Sequence, residues 1–211
     1  MIAIVDYKAG NLRSVELAVG RVGYSSCVTN EAEDVERADR VIFPGVGAAG
    51  AAMAELERLK LDEAIRLAVR EGKPVLGICL GTQVILDRSD EDGGTTCLGI
   101  LAGGVKRFAE RGAGDAARKI PHMGWNAVRL RRRHPVFEGV REGEEFYFVH
   151  SYYPAPAEER CVIGTTTYGV EFASVIGSGN LVAVQFHPER SGLAGLRVLE
   201  NFLQWDGRDT C

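Results

Sequence analysis

The sequence predicts an α/β fold with a mostly parallel sheet flanked by helices and with added antiparallel strands in the C-terminal half. Two observations support this class. Up to residue 86, short apolar runs alternate with segments whose apolar residues recur at helical spacing, which is typical of a parallel, doubly wound sheet. Beyond residue 120, short strand patterns and turn signals follow one another with few helical patterns between them, which favours antiparallel pairing.

The first half alternates predicted strands with predicted helices. The strands cover 2–5, 41–43 and 75–78, and the helices cover 12–22, 48–59, 62–71 and 80–86. Helix 62–71 has the best-supported limits, because Asp62 is a suitable N-cap and because Gly72 and Pro74 lie just beyond the pattern as a stop signal.

The second half is richer in short strands. They are predicted at 127–130, 145–149, 161–166, 173–176 and 181–185. Residues 177–180 (GSGN) predict a hairpin turn between the last two of these strands. A final helix, 193–203, carries apolar residues at 196, 199 and 203, so one of its faces is expected to be buried.

Composition indicates one globular domain, residues 1–211. With 211 residues, 45% of them hydrophobic, the chain can bury roughly 70% of its unfolded surface in one core. A net charge of -4 argues against a nucleic-acid partner bound by phosphate neutralisation. The arginine-rich run 129–133 is interpreted as a solvated hairpin end.

The sequence favours a cytoplasmic protein with reduced thiols. The apolar run 1–5 is too short for a signal peptide, and no uncharged apolar run of about 18 residues is present, so no membrane contact is expected. The five cysteines are an odd number without a C-x-x-C pair, which indicates neither a disulfide framework nor a metal site. No cofactor is expected. Cys27 and Cys161 are interpreted as packing residues, and Cys97 and Cys211 lie in looser contexts.

The fifth cysteine lies in the most informative segment, residues 77–81 (GICLG). An apolar strand precedes Cys79 and a helical pattern follows it, so the thiol is expected on a tight elbow that lifts a nucleophile above the sheet edge. Glycine on either side of the elbow relieves crowding, and the helix N-terminus favours the thiolate. The alternative is that Cys79 is a small buried hydrophobe, as most free cysteines are.

A thiol nucleophile needs a base, and the chain has four histidines, at 122, 134, 150 and 187. His187 is the best candidate, because Pro188 biases it toward extended backbone and residues 187 and 189 of an extended chain point to one face. Glu189 is then expected to orient the imidazole. The alternative is a strand-end histidine beside a solvated glutamate.

Cys79, His187 and Glu189, in this order and on these motifs, resemble the triad of class I (triad-type) glutamine amidotransferases. Further segments are similar to one branch of that family, the glutaminase subunits of histidine biosynthesis, nearly end to end up to about residue 205. The segments are 6–15 (DYKAGNLRSV), 44–47 (PGVG), 119–126 (KIPHMGWN), 147–152 (YFVHSY) and 185–191 (QFHPERS). The resemblance implies a class I amidotransferase-like, flavodoxin-like fold.

The resemblance implies hydrolysis of glutamine to glutamate and ammonia through a Cys79 thioester, with His187 as proton carrier. Because open parallel sheets bind ligands beyond the carboxyl ends of their strands, the elbow and loop 44–47 are expected to face one another. Further roles come from the resemblance alone. They are Gly45, Val46, Gly47 and Leu80 for the oxyanion hole, and Gln83, Ser151 and Tyr152 for holding glutamine.

The same branch passes its ammonia to a separate (βα)8-barrel cyclase subunit, with which it forms a heterodimer. That subunit makes imidazole glycerol phosphate and aminoimidazole carboxamide ribotide, so the complex acts as a lyase. Five positions match residues that face this partner. They are Asn11, Pro121, Met123, Trp125 and Arg190. An exposed Met and Trp suit an interface anchor, although both residue types are more often part of a core.

Two positions depart from the branch, and two other functions stay open. Thr82 replaces the usual methionine beside the elbow, and Arg190 replaces the usual lysine. One alternative is a free-standing glutaminase or an amidotransferase of another pathway, against which segment 121–126 (PHMGWN) argues. The other is a non-catalytic binding protein on the same scaffold, against which the intact triad argues.

Overall fold

The computed structural model describes residues 1–8, 10–110 and 119–209. Two residues discussed above, Ala9 of the 6–15 segment and Cys211, lie outside the described residues. The described strands are β1 Ile2–Val5, β2 Cys27–Thr29, β3 Arg40–Gly45, β4 Val75–Cys79, β5 Arg88–Ser89, β6 Thr95–Thr96, β7 Gly103–Arg107, β8 His122–Ala127, β9 Arg129–Leu130, β10 Glu145–His150, β11 Tyr152–Pro156, β12 Val162–Thr167, β13 Glu171–Ser178 and β14 Leu181–Val184. The helices are α1 Leu12–Arg21, α2 Ala32–Arg37, α3 Ala49–Arg58, α4 Leu61–Arg70, α5 Leu80–Val84 and α6 Gly192–Gln204.

The main sheet of the described chain has eight strands in the order β2-β1-β3-β4-β14-β13-β12-β9. From β2 to β14 all neighbours are parallel, and from β14 to β9 all neighbours are antiparallel. Two smaller sheets pair β8 with β10 and join β11, β7, β5 and β6. The predicted mostly parallel α/β sheet with antiparallel additions is therefore confirmed, whereas the single-domain prediction is untested.

The central pairing of β14 with β4 determines where the site forms. β14 comes from the antiparallel half of the sequence, yet it runs parallel to β4, with Val184 opposite Ile78. The predicted hairpin at 177–180 precedes it and is confirmed, since Ser178 pairs with Leu181 and Gly179 has a φ of 57°. The chain thus returns to the middle of the sheet, and the C-terminal end of β14 lies at the same edge as that of β4.

Apolar layers cover both faces of the sheet. On one face, buried residues of α3 and α4 such as Leu56 and Ile65 pack in a cluster with Val5 and Phe43. On the other face, α1 and α6 pack against Ile4 and its neighbours. Burying one such aliphatic or aromatic side chain contributes about 1.5–3 kcal/mol. The helices thus hold the parallel strands rigidly in register under the candidate site.

Two helix predictions differ from the structure. The predicted helix 80–86 ends at Val84, because the amides of Leu98 and Ile100 donate to the carbonyls of Val84 and Ile85. The predicted N-cap Asp62 is wrong. Lys60, with a φ of 57°, precedes the helix, and Asp62 lies in the first turn, where it pairs with Arg66 at 2.6 Å.

Two predictions around residue 130 are also wrong. The predicted strand 127–130 is two strands in two sheets, because β8 pairs with β10 whereas β9 pairs with β12. The arginine run is not uniformly solvated, since Arg132 is 18% exposed and forms two 2.7 Å hydrogen bonds with Asp209 of the C-terminal tail. Helix α2 and the short strands β5, β6, β7 and β11 are additional elements that the pattern did not predict.

Candidate active site

The site lies where three parallel strands end. Gly45 at the end of β3 is directly opposite Cys79 at the end of β4, and β14 ends on the other side of β4. His187 follows β14 by three residues. Because parallel strands bring their carboxyl ends to one edge, residues more than a hundred positions apart in the sequence meet around the Cys79 side chain.

Cys79 is held in a strained elbow. Its φ of 54° and ψ of -105° lie in a region that non-glycine residues seldom adopt, and helix α5 begins at the next residue. A Cβ on Gly77 would lie 2.9 Å from the Ala183 Cβ, and one on Gly81 would overlap the Phe43 carbonyl oxygen. The two glycines therefore let β4 and α5 approach their neighbours closely enough for this turn, as the sequence predicts.

His187 and Glu189 form a buried pair. The distance from His187 Nδ1 to Glu189 Oε1 is 2.8 Å, and the two side chains are 3% and 0% exposed. The predicted contact between His187 and Glu189 is present, but the backbone conformation that produces it differs from the predicted extended chain. His187 is extended, whereas 188–190 form one 3₁₀ turn that brings the carboxylate back under the ring. Asn11 Nδ2 donates to the same oxygen, Oε1, so Glu189 is fixed from both sides.

The electrostatics of the pair favour a protonated imidazole. Burial acts to lower the pKa of His187, but the neighbouring Cys79 sulfur and the Glu189 carboxylate outweigh it and raise the pKa. The Nε2 atom of His187 is buried and has no hydrogen-bond partner among the described residues. Since Nδ1 donates to Glu189, Nε2 is the nitrogen left to exchange a proton with Cys79 or with a leaving group.

A cavity of about 330 Å³ opens over Cys79, within the size range of small-molecule pockets. Its lining includes six residues that the resemblance assigned to glutamine or to the oxyanion hole. They are Val46, Gly47, Leu80, Gln83, Ser151 and Tyr152. Gly47 has a φ of 106°, which glycine adopts without strain, and its loop thereby turns toward the elbow.

Gly45 does not lie with the six residues that line the cavity, although the resemblance assigned it to the same oxyanion hole. Gly45 is buried within β3 and is not part of the cavity lining. A Cβ at this position would overlap the Tyr7 hydroxyl oxygen, so glycine is required here for packing. That hydroxyl is buried without a partner among the described residues, and burial raises the pKa of Tyr7.

The sequence reasoning missed two polar residues of the site. Gln185 is fully buried, and its Nε2 donates to Cys79 Sγ at 3.7 Å, while its Oε1 accepts from Gln83 Nε2 at 3.1 Å. Glu91 lines the cavity, and its Oε2 accepts from the Ala49 amide at 2.7 Å. Gln185 lies in a segment that carried the resemblance, whereas Glu91 opens a 3₁₀ turn after β5, in a polar segment whose sequence does not indicate a binding role.

The five positions that the resemblance matched to a partner differ in exposure and in contacts. Met123 and Trp125 are 63% and 54% exposed, and both project from β8. Pro121 is exposed at the rim of the cavity. The Arg190 guanidinium lies 4.7 Å from the Tyr147 ring centroid. Asn11, in contrast, directs its side chain inward to Glu189, so it belongs to the surroundings of the His187–Glu189 pair as well as to the surface.

No cluster of metal-ligating side chains occurs in the part that the structure describes, and no helix there is long and apolar enough to cross a membrane. Cys27, Cys97 and Cys161 are free thiols, and burial raises the pKa of the last two. Cys79 is thus the one described cysteine that lines the cavity.

Comparison with known proteins agrees with this geometry. A model of the class-I glutamine amidotransferase family matches residues 3–205, so the chain belongs to this family. Over 204 residues, 97% of each chain, it is 48% identical to the imidazole glycerol phosphate synthase subunit HisH of Dehalococcoides mccartyi strain CBDB1. It is 50% identical to the subunit of the same name from Nitratidesulfovibrio vulgaris strain DP4, over 96% of this chain and 95% of the relative. The resemblance to glutaminase subunits of this synthase is thereby confirmed.

A solved structure supports the fold. A crystal structure of a glutamine amidotransferase matches 98% of this chain and 100% of its own, with a TM-score of 0.74 at 20% identity. This likeness confirms the predicted class I amidotransferase-like fold.

Proposed function

We propose that the chain is the glutamine-hydrolysing subunit of an imidazole glycerol phosphate synthase and that Cys79, His187 and Glu189 are its catalytic triad. The observation that carries the proposal is the elbow-borne thiol beside a buried histidine–carboxylate pair, inside a cavity of a chain about 50% identical to such subunits. The reaction splits glutamine into glutamate and ammonia.

The geometry supports a two-step acyl transfer. The Cys79 sulfur attacks the side-chain carbonyl of glutamine, and His187 gives a proton from Nε2 to the departing ammonia. Water then attacks the thioester, with His187 as the base. Glu189 keeps the proton on Nδ1 and stabilises the imidazolium, a task for which Asn11 holds the carboxylate still.

The cavity walls supply the other requirements. Leu80, Val46 and Gly47 line the cavity together with Cys79, and their backbone amides are the proposed donors to the developing oxyanion, each of which contributes roughly 3 kcal/mol. Gln83 and the main chain at 151–152 border the position of the glutamine side chain. Glu91 supplies a carboxylate, which is the complement of an α-ammonium group.

The two departures from the branch are compatible with this function. Thr82 is fully buried, and its hydroxyl donates to the Val184 carbonyl at 2.6 Å, so it ties α5 to the end of β14. Arg190 is exposed and keeps the positive charge of the usual lysine while resting against Tyr147.

Ammonia released into water would be protonated, so we propose that it passes to a (βα)8-barrel cyclase subunit bound at this edge. The exposed Met123 and Trp125, with Pro121 at the cavity rim, form the contact surface, together with Arg190 and the outer part of Asn11. The heterodimer and a cytoplasmic location are further parts of this proposal, as is the absence of a nucleic-acid partner.

The test is glutamate release from glutamine by the purified chain, alone and with the cyclase subunit and its ribotide substrate. We expect strong activation only in the complete mixture. In Cys79→Ala, we expect loss of activity by about 10³-fold or more with unchanged binding of the cyclase subunit. Cys97→Ala, a buried thiol outside the cavity lining, is the matched control and keeps its activity.

Other outcomes would identify the error. Equal activity of the chain alone and in the mixture would mean an independent glutaminase. Failure of Cys79→Ala to bind the cyclase subunit would mean that the contact surface is misplaced relative to the site.

A further inference from the structure

Two buried histidines next to the candidate site are not used by the triad. His122 on β8 and His150 on β10 are 3% and 5% exposed, and their strands pair so that the two residues are directly opposite. The distance from His122 Nδ1 to His150 Nε2 is 2.9 Å. The His122 ring lies between Phe148 and Tyr168, with centroid distances of 4.9 and 4.1 Å. Both rings are thus fixed in position.

The hydrogen-bond partners of the two histidines determine which ring nitrogens carry a proton. His150 Nδ1 lies 2.7 Å from the Tyr152 carbonyl, which only accepts, so Nδ1 carries a proton. Burial lowers the pKa of His150 to about 3 and that of His122 to about 4, so both rings are neutral. His150 Nε2 therefore accepts, and His122 Nδ1 donates to it. His122 Nε2 in turn accepts from Asn126 Nδ2 at 3.2 Å.

The hydrogen bonds continue from the Tyr152 carbonyl to the nucleophile. The same carbonyl accepts from Gln83 Nε2 at 3.0 Å, and Gln83 Nε2 also lies 3.1 Å from Gln185 Oε1. Gln185 Nε2 donates to Cys79 Sγ. Tyr152, Gln83 and Cys79 all line the cavity. One line of hydrogen bonds therefore runs from Asn126 to the sulfur along the cavity wall.

The other end of the line lies on the strand that bears the exposed side chains. Successive side chains of a strand point to opposite faces, so on β8 His122 and Asn126 share the inner face, while Met123 and Trp125 share the outer face. Asn126 is held by a second bond from its Nδ2 to the Thr167 carbonyl at 3.0 Å. The line of hydrogen bonds therefore joins the strand that bears Met123 and Trp125 to the cavity wall.

We propose that Asn126, His122 and His150 are positioning residues that hold the Tyr152 carbonyl, and with it Gln83, in the arrangement that binds glutamine. The inference rests on the proposed function and adds a support for the glutamine pocket. It also couples that pocket to the face of β8 on which the cyclase subunit is proposed to bind. None of the three residues takes part in bond making or breaking.

His122→Phe tests the proposal, because phenylalanine keeps the ring between Phe148 and Tyr168 but removes the donor to His150. We expect the KM for glutamine to rise about tenfold, the value of one lost hydrogen bond, while kcat changes less than threefold. His122→Asn, whose amide nitrogen can occupy the position of Nδ1, is expected to restore most of the KM. Alkylation of Cys79 by iodoacetamide, followed by peptide mass spectrometry, should be unchanged in both variants.

Two further variants separate this role from general packing. His134→Phe replaces another buried neutral histidine, which packs on Trp205 away from the cavity, and it is expected to keep the wild-type KM. Asn126→Asp preserves size but replaces the donor with an acceptor, so it should raise KM as His122→Phe does. It also serves if the phenylalanine variant fails to fold.

The contrary results are distinct. An unchanged KM in both His122→Phe and Asn126→Asp, with the wild type active, would overturn the inference, and so would an equal loss of kcat and kcat/KM. A wild-type chain without glutaminase activity in the complete mixture would instead overturn the proposed function.

Discussion

The Glu189 carboxylate has two unlike oxygens. Oε1 accepts from both His187 and Asn11, whereas Oε2 is buried without a partner among the described residues. A buried carboxylate with one such oxygen costs stability unless a neighbouring positive charge compensates it. Burial acts to lower the pKa of His187, but the Cys79 sulfur most and Glu189 next raise it, so the imidazolium is suited to supply this charge. Glu189 is therefore better suited to the protonated than to the neutral histidine.

Glu189→Gln should separate charge from shape. The amide has nearly the same size but no negative charge, so the pKa of His187 should fall, and kcat for glutamine hydrolysis should drop by roughly 10²–10⁴-fold. Steady-state kinetics with the cyclase subunit present measures this effect. Glu200→Gln on α6, a half-buried glutamate that pairs with Arg197 away from the cavity, is the control. A drop below tenfold would show that Glu189 does not act on the imidazole through its charge.

At the scale of elements, the C-terminal tail is tied to the antiparallel part of the sheet. After α6, the chain passes Trp205, whose Nε1 donates to the Arg208 carbonyl at 2.8 Å, and reaches Asp209, which pairs with Arg132 after β9. Asp209 is 11% exposed, and its two bonds are in the bidentate arrangement that arginine and carboxylate favour. The tail therefore fastens α6 to β9 and thereby supports the segment that carries His187.

Removing this tie should lower the stability of the chain. Asp209→Ala leaves the half-buried Arg132 without its carboxylate, and we expect the free energy of unfolding to fall by about 1–3 kcal/mol, between the values for exposed and buried ion pairs. Urea denaturation monitored by tryptophan fluorescence measures it. Glu158→Ala, outside the tail, removes an exposed pair with Arg160 and should change the free energy by less than about 0.5 kcal/mol. Equal effects of the two substitutions would contradict the structural role of the tail.

At the scale of the whole molecule, three of the four histidines are buried in the neutral form. Burial lowers the pKa of His122 and of His134 to about 4 and that of His150 to about 3. The unfolded chain takes up protons at these residues below about pH 6.5, whereas the folded chain does so only near pH 3–4. Their contribution to stability is therefore complete above pH 6.5 and is lost as the pH falls. His187 acts in the opposite sense, because its pKa is raised to about 10 in the folded chain: the stability it contributes is complete well below about pH 6.5 and is lost as the pH rises from there toward 10.

The folded chain should therefore lose stability on mild acidification. Between about pH 6.5 and pH 4, the free energy of unfolding should fall with a slope of up to about 1.4 kcal/mol per pH unit for each of these histidines. Urea midpoints at about pH 6, 5.5, 5 and 4.5 measure the slope below the range in which His187 acts. His134→Phe should reduce the slope of the free energy of unfolding with pH, because one fewer histidine takes up a proton on unfolding. A midpoint that stays constant from about pH 6 to about pH 4.5 would show that these histidines are not held neutral.

Local patterns predicted most of the first half of the fold and the pairing of the side chains in the proposed triad. The alternating strands and helices, the glycines of the elbow and the pairing of His187 with Glu189 all depend on neighbours within a few residues, which a sequence displays. The N-cap prediction for Asp62 is wrong, because the backbone conformation at a helix start depends on contacts outside the local pattern. The predicted α5 is too long, because the carbonyls of Val84 and Ile85 accept hydrogen bonds from a later segment of the chain. The packing role of Gly45 was not predicted either, because it depends on Tyr7, a residue distant in the sequence whose hydroxyl fills the space beside the glycine.

The sequence by itself determined the chemical class of this protein, because a glycine-flanked cysteine and an H-P-E tripeptide restrict both the backbone and the reactive groups. Only the tertiary structure decided how these groups meet. β14 enters the sheet parallel to β4 after an antiparallel hairpin, which brings His187 and Gln185 to Cys79. Strand order and the line of buried hydrogen bonds from Asn126 arise from packing between segments that are far apart in the sequence. Such contacts produce no periodic pattern of residues, so the sequence alone does not predict them.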